Sequence, residues 1–138
     1  DGDFDELYSL GARSFSIWDA STGELVWDSK DDLDRQTFFL GLYDDARSDD
    51  KGSEPEAVTI GRVGRKTIAI IGLERADAFV IYDITNPTSP QFVKVYKAGD
   101  APEGVLFIPA SKSPIQQSLI VVSSENDGLV KIFKANKL

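Results

Sequence analysis

The sequence predicts an all-β chain: a partial β-propeller of about three blades, each a four-stranded antiparallel meander, belonging to a larger propeller. The first observation is an internal repeat. Pro55-Glu56-Ala57-Val58 returns as Pro102-Glu103-Gly104-Val105, 47 residues later (from 55 to 102). The second is that each copy leads into the same succession of segments: an apolar run closing on glutamate (KTIAIIGLE to Glu74, SLIVVSSE to Glu125), a short polar turn, and a further strand-like run (AFVIYDI, GLVKIF). The two glutamates are 51 apart (from 74 to 125), so the second copy holds four extra residues, which its loop IPASKSPIQQ accounts for. Strand-only units repeating at roughly 40 to 50 residues cannot each bury two faces alone, and stack as blades.

Taken in order, the first unit is read from its middle, with DELYSL as a second strand, RSFSIWDA as a third and GELVWDS as a fourth, turned by Ser21-Thr22-Gly23. Trp18-Asp19 matches Tyr82-Asp83 as the aromatic-Asp end of a third strand. The next unit is complete: EAVTIGRV (56–63), KTIAIIGLE (66–74), AFVIYDI (78–84) and QFVKVYK (91–97). Gly64-Arg65 supplies a tight hairpin, and the two prolines of Asn86-Pro87-Thr88-Ser89-Pro90 lack N–H groups and so suit a turn. Ile68, Ala69, Ile70 and Ile71 are apolar in succession, as in a strand covered on both faces, whereas Lys94 and Lys97 mark an outer strand. The last unit offers EGVLFIP, SLIVVSSE and GLVKIFKA, with Val121 in a strand equivalent to that of Ile70 and expected to be covered likewise. The resulting division is a partial blade over 1–30, an acidic loop over 31–54, a complete blade over 55–99 and a partial C-terminal blade over 100–138.

Residues 28–56 hold ten acidic side chains against four basic ones, net −6 of the chain's −8. Phe38, Phe39, Leu40, Leu42 and Tyr43 are too apolar for a free linker, so at least some of this connection should pack. Trp18, Trp27, Tyr82 and Phe133 read as blade core.

Composition excludes several chemistries. The 138 residues contain no cysteine, histidine or methionine. No disulfide framework, thiolate zinc site, Ser-His-Asp triad or H-E-x-x-H motif can be assembled from this chain. Lacking an initiator methionine, the chain reads as a processed product or a piece of something longer. No apolar run approaches the roughly 20 residues of a membrane span, and no signal-peptide pattern is present. Net charge disfavours nucleic-acid binding, and no membrane insertion is expected.

Parity places the candidate chemistry. In an up-and-down meander a first strand starts at the face where the second ends, so Glu56, Glu103, Glu74 and Glu125 should gather at one mouth. Clustered carboxylates suit a hard cation such as Ca2+. Asp49 and Asp50, where the acidic connection approaches the same face, complete the candidate metal set, although neither this loop nor Asp1-Gly2-Asp3-Phe4-Asp5 matches the twelve-residue calcium-loop spacing. Asn86-Pro87-Thr88 has proline where glycosylation forbids it.

The segments GDFDELYSLGARSFSIWDASTGELVWDS, DARSDDKGSEPEAVTIG, AIIGLERADAFVIYDITNPTSPQFV and APEGVLFIPA resemble the C-terminal region of the choice-of-anchor I proteins. These are secreted bacterial propellers, some of whose relatives carry the labels mesenchyme-specific cell surface glycoprotein and atypical alkaline phosphatase. The resemblance runs over essentially the whole chain, with RSDDKG-x-EPE and IGLER its most specific segments. It implies a seven-bladed type of propeller several times longer than this chain, exported (secreted, periplasmic or cell-surface). The chain departs in a shorter stretch before Arg47 and in Ala57 where glycine is common.

The leading expectation is therefore a non-catalytic binding or scaffold module with a cation-binding acidic face. Its partner would be the remainder of the precursor or another polypeptide that completes the propeller. A calcium-dependent phosphoesterase and a purely structural segment are the alternatives.

Overall fold

The computed structural model describes residue 11 and residues 13–135, and within them the chain forms three antiparallel sheets with little helix. A two-stranded sheet pairs β1 (Ser16–Trp18) with β2 (Leu25–Asp28). A four-stranded meander runs β3 (Pro55–Val63), β4 (Lys66–Leu73), β5 (Ala78–Asp83) and β6 (Gln91–Lys97). A three-stranded meander comes last: β7 (Pro102–Ile108), β8 (Leu119–Ser124) and β9 (Val130–Lys134). The strand read over DELYSL lies outside the described residues, as does the Asp1–Asp5 segment.

The sheets stack, and strand alternation decides which residue goes where. Consecutive side chains of a strand point to opposite faces. Ala69, Ile71 and Leu73 of β4, with Val80 and Tyr82 of β5, form one core with Phe15, Trp27 and Leu42. Ile68, Ile70, Phe79 and Ile81 face the other way, into a second core with Phe107, Ile120, Val122 and Phe133. The middle sheet is thus covered on both sides, which is why β4 is apolar without alternation. Its neighbour approaches very closely at one point: a Cβ built on Gly61 would lie 2.4 Å from Cγ of Phe107. Glycine here admits the ring to the backbone of β3.

The acidic connection is more structured than its composition suggests. Asp32–Phe39 forms a helix, α1, with Asp32 and Asp34 in its first turn, where the helix dipole favours anions. It packs through Leu33 and Thr37, one turn apart and fully buried. Thr37 Oγ1 donates to the Leu33 carbonyl at 3.0 Å and meets Ser53 Oγ at 2.7 Å, while Asp34 accepts from Ser53 N at 2.9 Å. The Tyr82 hydroxyl donates to Asp32, joining the helix to β5.

The expectation that part of the apolar stretch 38–43 packs is met by Leu42 and Tyr43, which are half-buried, while Phe38, Phe39 and Leu40 stand in solvent because Leu33 takes the packing position. Two expectations need correction. Trp18 is not core; it is 59% exposed on the face of its sheet opposite Trp27, which does pack on Phe15 and Tyr82. Val121, expected in a strand covered on both faces, is half-buried, since the third sheet is covered on one face among the described residues.

Candidate functional site

Each copy of the Pro-Glu repeat starts its strand in the same unusual way. The residue before the proline, Glu54 or Ala101, adopts a left-handed conformation (φ 53° and 55°). Its carbonyl accepts from the amide of the glutamate that closes the second strand, Glu74 N to Glu54 O and Glu125 N to Ala101 O, both at 2.9 Å. The register then slips between Pro55 and Ala57, and between Pro102 and Gly104. Glu56 and Glu103 are the extra residues of these bulges, and a bulge re-aims the side chain it carries. Local geometry, repeated twice, therefore brings the four parity-predicted glutamates to one end of the two adjoining sheets.

They interact there. Glu103 is exposed, and the charge of Glu125 together with a hydrogen bond to it holds its carboxyl above the ordinary range, with Glu56 adding to the effect. Glu74 is buried; desolvation pushes its carboxyl up, with the charges of Glu54 and Glu56 in the same direction. One oxygen from each of Glu54, Glu56 and Glu74 lies within 4.8 Å of the others, a spacing that a single cation could bridge.

Glu54 is only 3% exposed; it and Arg75 fall inside the segments RSDDKG-x-EPE and IGLER of the family resemblance, yet neither is among the candidate site residues. Burial pulls the Glu54 carboxyl upward, but hydrogen bonds from Lys51 and Arg75 outweigh it and hold the group below the usual carboxylate range. Arg75 is shared: its Nε donates to Glu54 Oε2 at 2.9 Å and its Nη2 reaches Glu74 Oε1 at 2.8 Å. Arg47 lies 3.8 Å from Glu54 and pairs with Asp50 at 2.5 Å. The faint signal for Glu54 and Arg75 is the adjacency of Arg75 to Glu74 in IGLER and of Glu54 to the proline in EPE. At the matching position of the second copy stands Ala101, so the cation-clasped carboxylate belongs to one repeat alone.

Of the remaining candidates, Asp50 is engaged by Arg47, and its Oδ1 is buried without a hydrogen-bond partner. Asp49 is exposed and outside the three-glutamate group. The mouth as a whole gathers five glutamates (Glu54, Glu56, Glu74, Glu103, Glu125) with three cations (Arg47, Lys51, Arg75), leaving an acidic excess. Beside it opens a cleft of about 630 Å³, lined by Arg75, Asp77, Lys97, Asp100, Asp127 and Lys131 among others. Among the described residues no helix is long and apolar enough to cross a membrane.

The family model for the Choice-of-anchor I domain matches residues 1–87. Gigasin-3a of Magallana gigas is 27% identical over 172 aligned positions, which cover 100% of this chain and 61% of that protein. The chain thus spans about three fifths of the length of the curated relative it matches. No solved structure matches it.

Proposed function

The chain belongs to the choice-of-anchor I family, and on that premise we propose that it is a segment of an exported or cell-surface β-propeller, a binding and scaffold module that holds a divalent cation, Ca2+ being the best fit, at its acidic mouth. Residues 1–30, 55–99 and 100–138 are then successive blades, and 31–54 is the connection that ends beside the mouth. Other segments of the precursor, or another polypeptide, would complete the ring.

One observation carries the cation reading. Two copies of the same bulge present Glu56 and Glu103 beside the glutamates that close the neighbouring strands, and the carboxyls of Glu74 and Glu103 are held above their ordinary range by burial and by the neighbouring carboxylates. A bound divalent ion relieves that repulsion and uses hard oxygen ligands. Calcium titrated by calorimetry into the whole chain should bind. At a hundred times the dissociation constant, mass action should stabilise the fold by about 2.7 kcal/mol. Glu56→Gln combined with Glu103→Gln should abolish the effect. Absence of heat and of any shift in melting temperature with the wild-type chain would remove the cation from this reading.

A further inference from the structure

The cleft beside the mouth is walled by four connections: residues 41–44 after α1, 75–77 between β4 and β5, 97–100 at the β6–β7 turn, and 127–131 at the β8–β9 turn. Each lies between described elements, so the walls belong to two adjoining sheets and not to an open edge. Hydrogen bonds hold these walls in place. Asp127 accepts from the amides of Asp100 and Leu129, both at 3.0 Å, Asp77 Oδ1 accepts from Ala101 N at 3.0 Å, and Asn126 Nδ2 donates to Asp100 Oδ1 at 2.9 Å. A Cβ built on Gly99 would lie 2.4 Å from Ser124 Oγ and 2.6 Å from Asp127 Oδ2, so glycine lets the β6–β7 turn close on the β8–β9 turn.

What these contacts leave over decides the ligand. Among the described residues, Asp77 and Asp100 each spend one carboxylate oxygen and keep the other. Lys131 spends one of its three N–H groups on the Ala98 carbonyl at 2.8 Å, and the exposed Lys97 has no hydrogen bond or ion pair. Four aspartates line the cleft against three cations, so its charge nearly balances. The two lysines weigh against a cationic ligand, and the acidic excess of the neighbouring mouth weighs against an anionic one. Leu42 and Tyr43 are the large apolar side chains of the lining, too few for an apolar ligand, which takes a mostly hydrophobic wall. Free acceptors beside free donors suit groups that donate and accept at once, as a hydroxyl does. We propose that the cleft binds a short neutral saccharide, whose neighbouring hydroxyls donate to Asp77 and Asp100 and accept from Lys97 and Lys131. Its volume of about 630 Å³ is that of a small-ligand site. The inference goes beyond the cation reading and is independent of it, since no glutamate of the mouth takes part.

The test is an array of neutral, amino, sulfated and uronic-acid glycans, probed with the whole chain in calcium and in EDTA, followed by calorimetry with the glycans retained. Neutral glycans should be held equally in both buffers. Lys97→Ala should weaken that binding about tenfold without lowering the melting temperature, since the side chain is exposed. Asp77→Asn should weaken it comparably: the amide oxygen still accepts from Ala101 N, and a donor replaces the free acceptor. Lys94→Ala, in the same strand as Lys97 but outside the cleft, should leave the affinity unchanged. Retention of no neutral glycan overturns the proposal, and so does capture of charged glycans alone that salt abolishes. Full affinity in both cleft variants overturns it too, by placing the sugar elsewhere, as does binding that EDTA removes, which would run through the cation of the mouth. A chain that holds the glycan but no calcium sinks the cation reading alone.

Discussion

Glu54 and Glu74 lie on either side of Arg75 and titrate in opposite directions, so the acidic mouth is readable in the pH dependence of stability. Glu54 has a depressed carboxyl. Its contribution is present above the unfolded value, near about 4.3, and is lost as pH falls through the folded one. Glu74 has a raised carboxyl, so its folded form favours the proton; that contribution is present below the unfolded value and lost as pH rises through the folded one. Denaturant unfolding followed from about pH 3 to about pH 8 should therefore separate two variants. Glu54→Gln should cost about 2 kcal/mol at neutral pH by leaving Lys51 and Arg75 without their buried partner, and should remove stability lost toward acid. Glu74→Gln should be neutral to stabilising at neutral pH and should flatten the upper range of the profile. The reverse ordering would mean that Arg75 serves Glu74 first. Glu56, Glu74, Glu103 and Glu125 are legible in the sequence because meander parity alone gathers them. Glu54 is not, because its burial depends on a left-handed backbone before proline, a conformation that the Pro-Glu motif does not announce.

Strand β4 shows what the linear pattern does carry. A run without alternation demands cover on both faces, and both cores are found there. Ile70→Asp should accordingly cost more than about 4 kcal/mol, since a buried charge would have no partner. Lys94→Ala should cost less than about 1 kcal/mol, losing only its approach to the Tyr96 ring at 5.0 Å. Equal effects in thermal melts would overturn the inner-to-outer order of the strands. The Gly61 seat gives a second check. Gly61→Ala should cost about 1–3 kcal/mol by displacing Phe107, and the cost should shrink when Phe107→Ala is present, a coupling that a double-mutant cycle reads directly. Turns at Gly64 and Asn86–Pro90 punctuate the middle sheet, so its strand limits are legible to within a residue or so. Helix α1 leaves no such mark for a physical reason: it packs by two residues, Leu33 and Thr37, too few to write a 3.6-residue period, while the more conspicuous Phe38 and Phe39 stay outside.

At the scale of the whole molecule, cover is distributed unevenly. The middle sheet has neighbours on both sides; the first and third have one each among the described residues. Local opening reflects burial, so amide exchange should be slowest in β4 and β5 and fastest in β1 and β9. If β9 exchanged as slowly as β4 in a monomeric sample, its exposed Val130 and Ile132 would have to be covered by something within the copy. The stacking of sheets is legible from the repeat. The exposed face of the third sheet is not, since Leu106 and Val130 look like any other strand residues until register shows which face each occupies.

The same meander has a mechanical meaning. For a module held at a surface and pulled through its chain, each strand leaves its antiparallel neighbour from one end, so hydrogen bonds break in succession instead of all together. Extension would begin at the two-stranded first sheet and at β9, which pack on one face only, through Trp27 and Phe133. The clasp of Glu54, Arg75 and Glu74 ties the connection ahead of β3 to the end of β4. Peeling that enters from the first sheet would have to break this charged knot before it reached the doubly covered core.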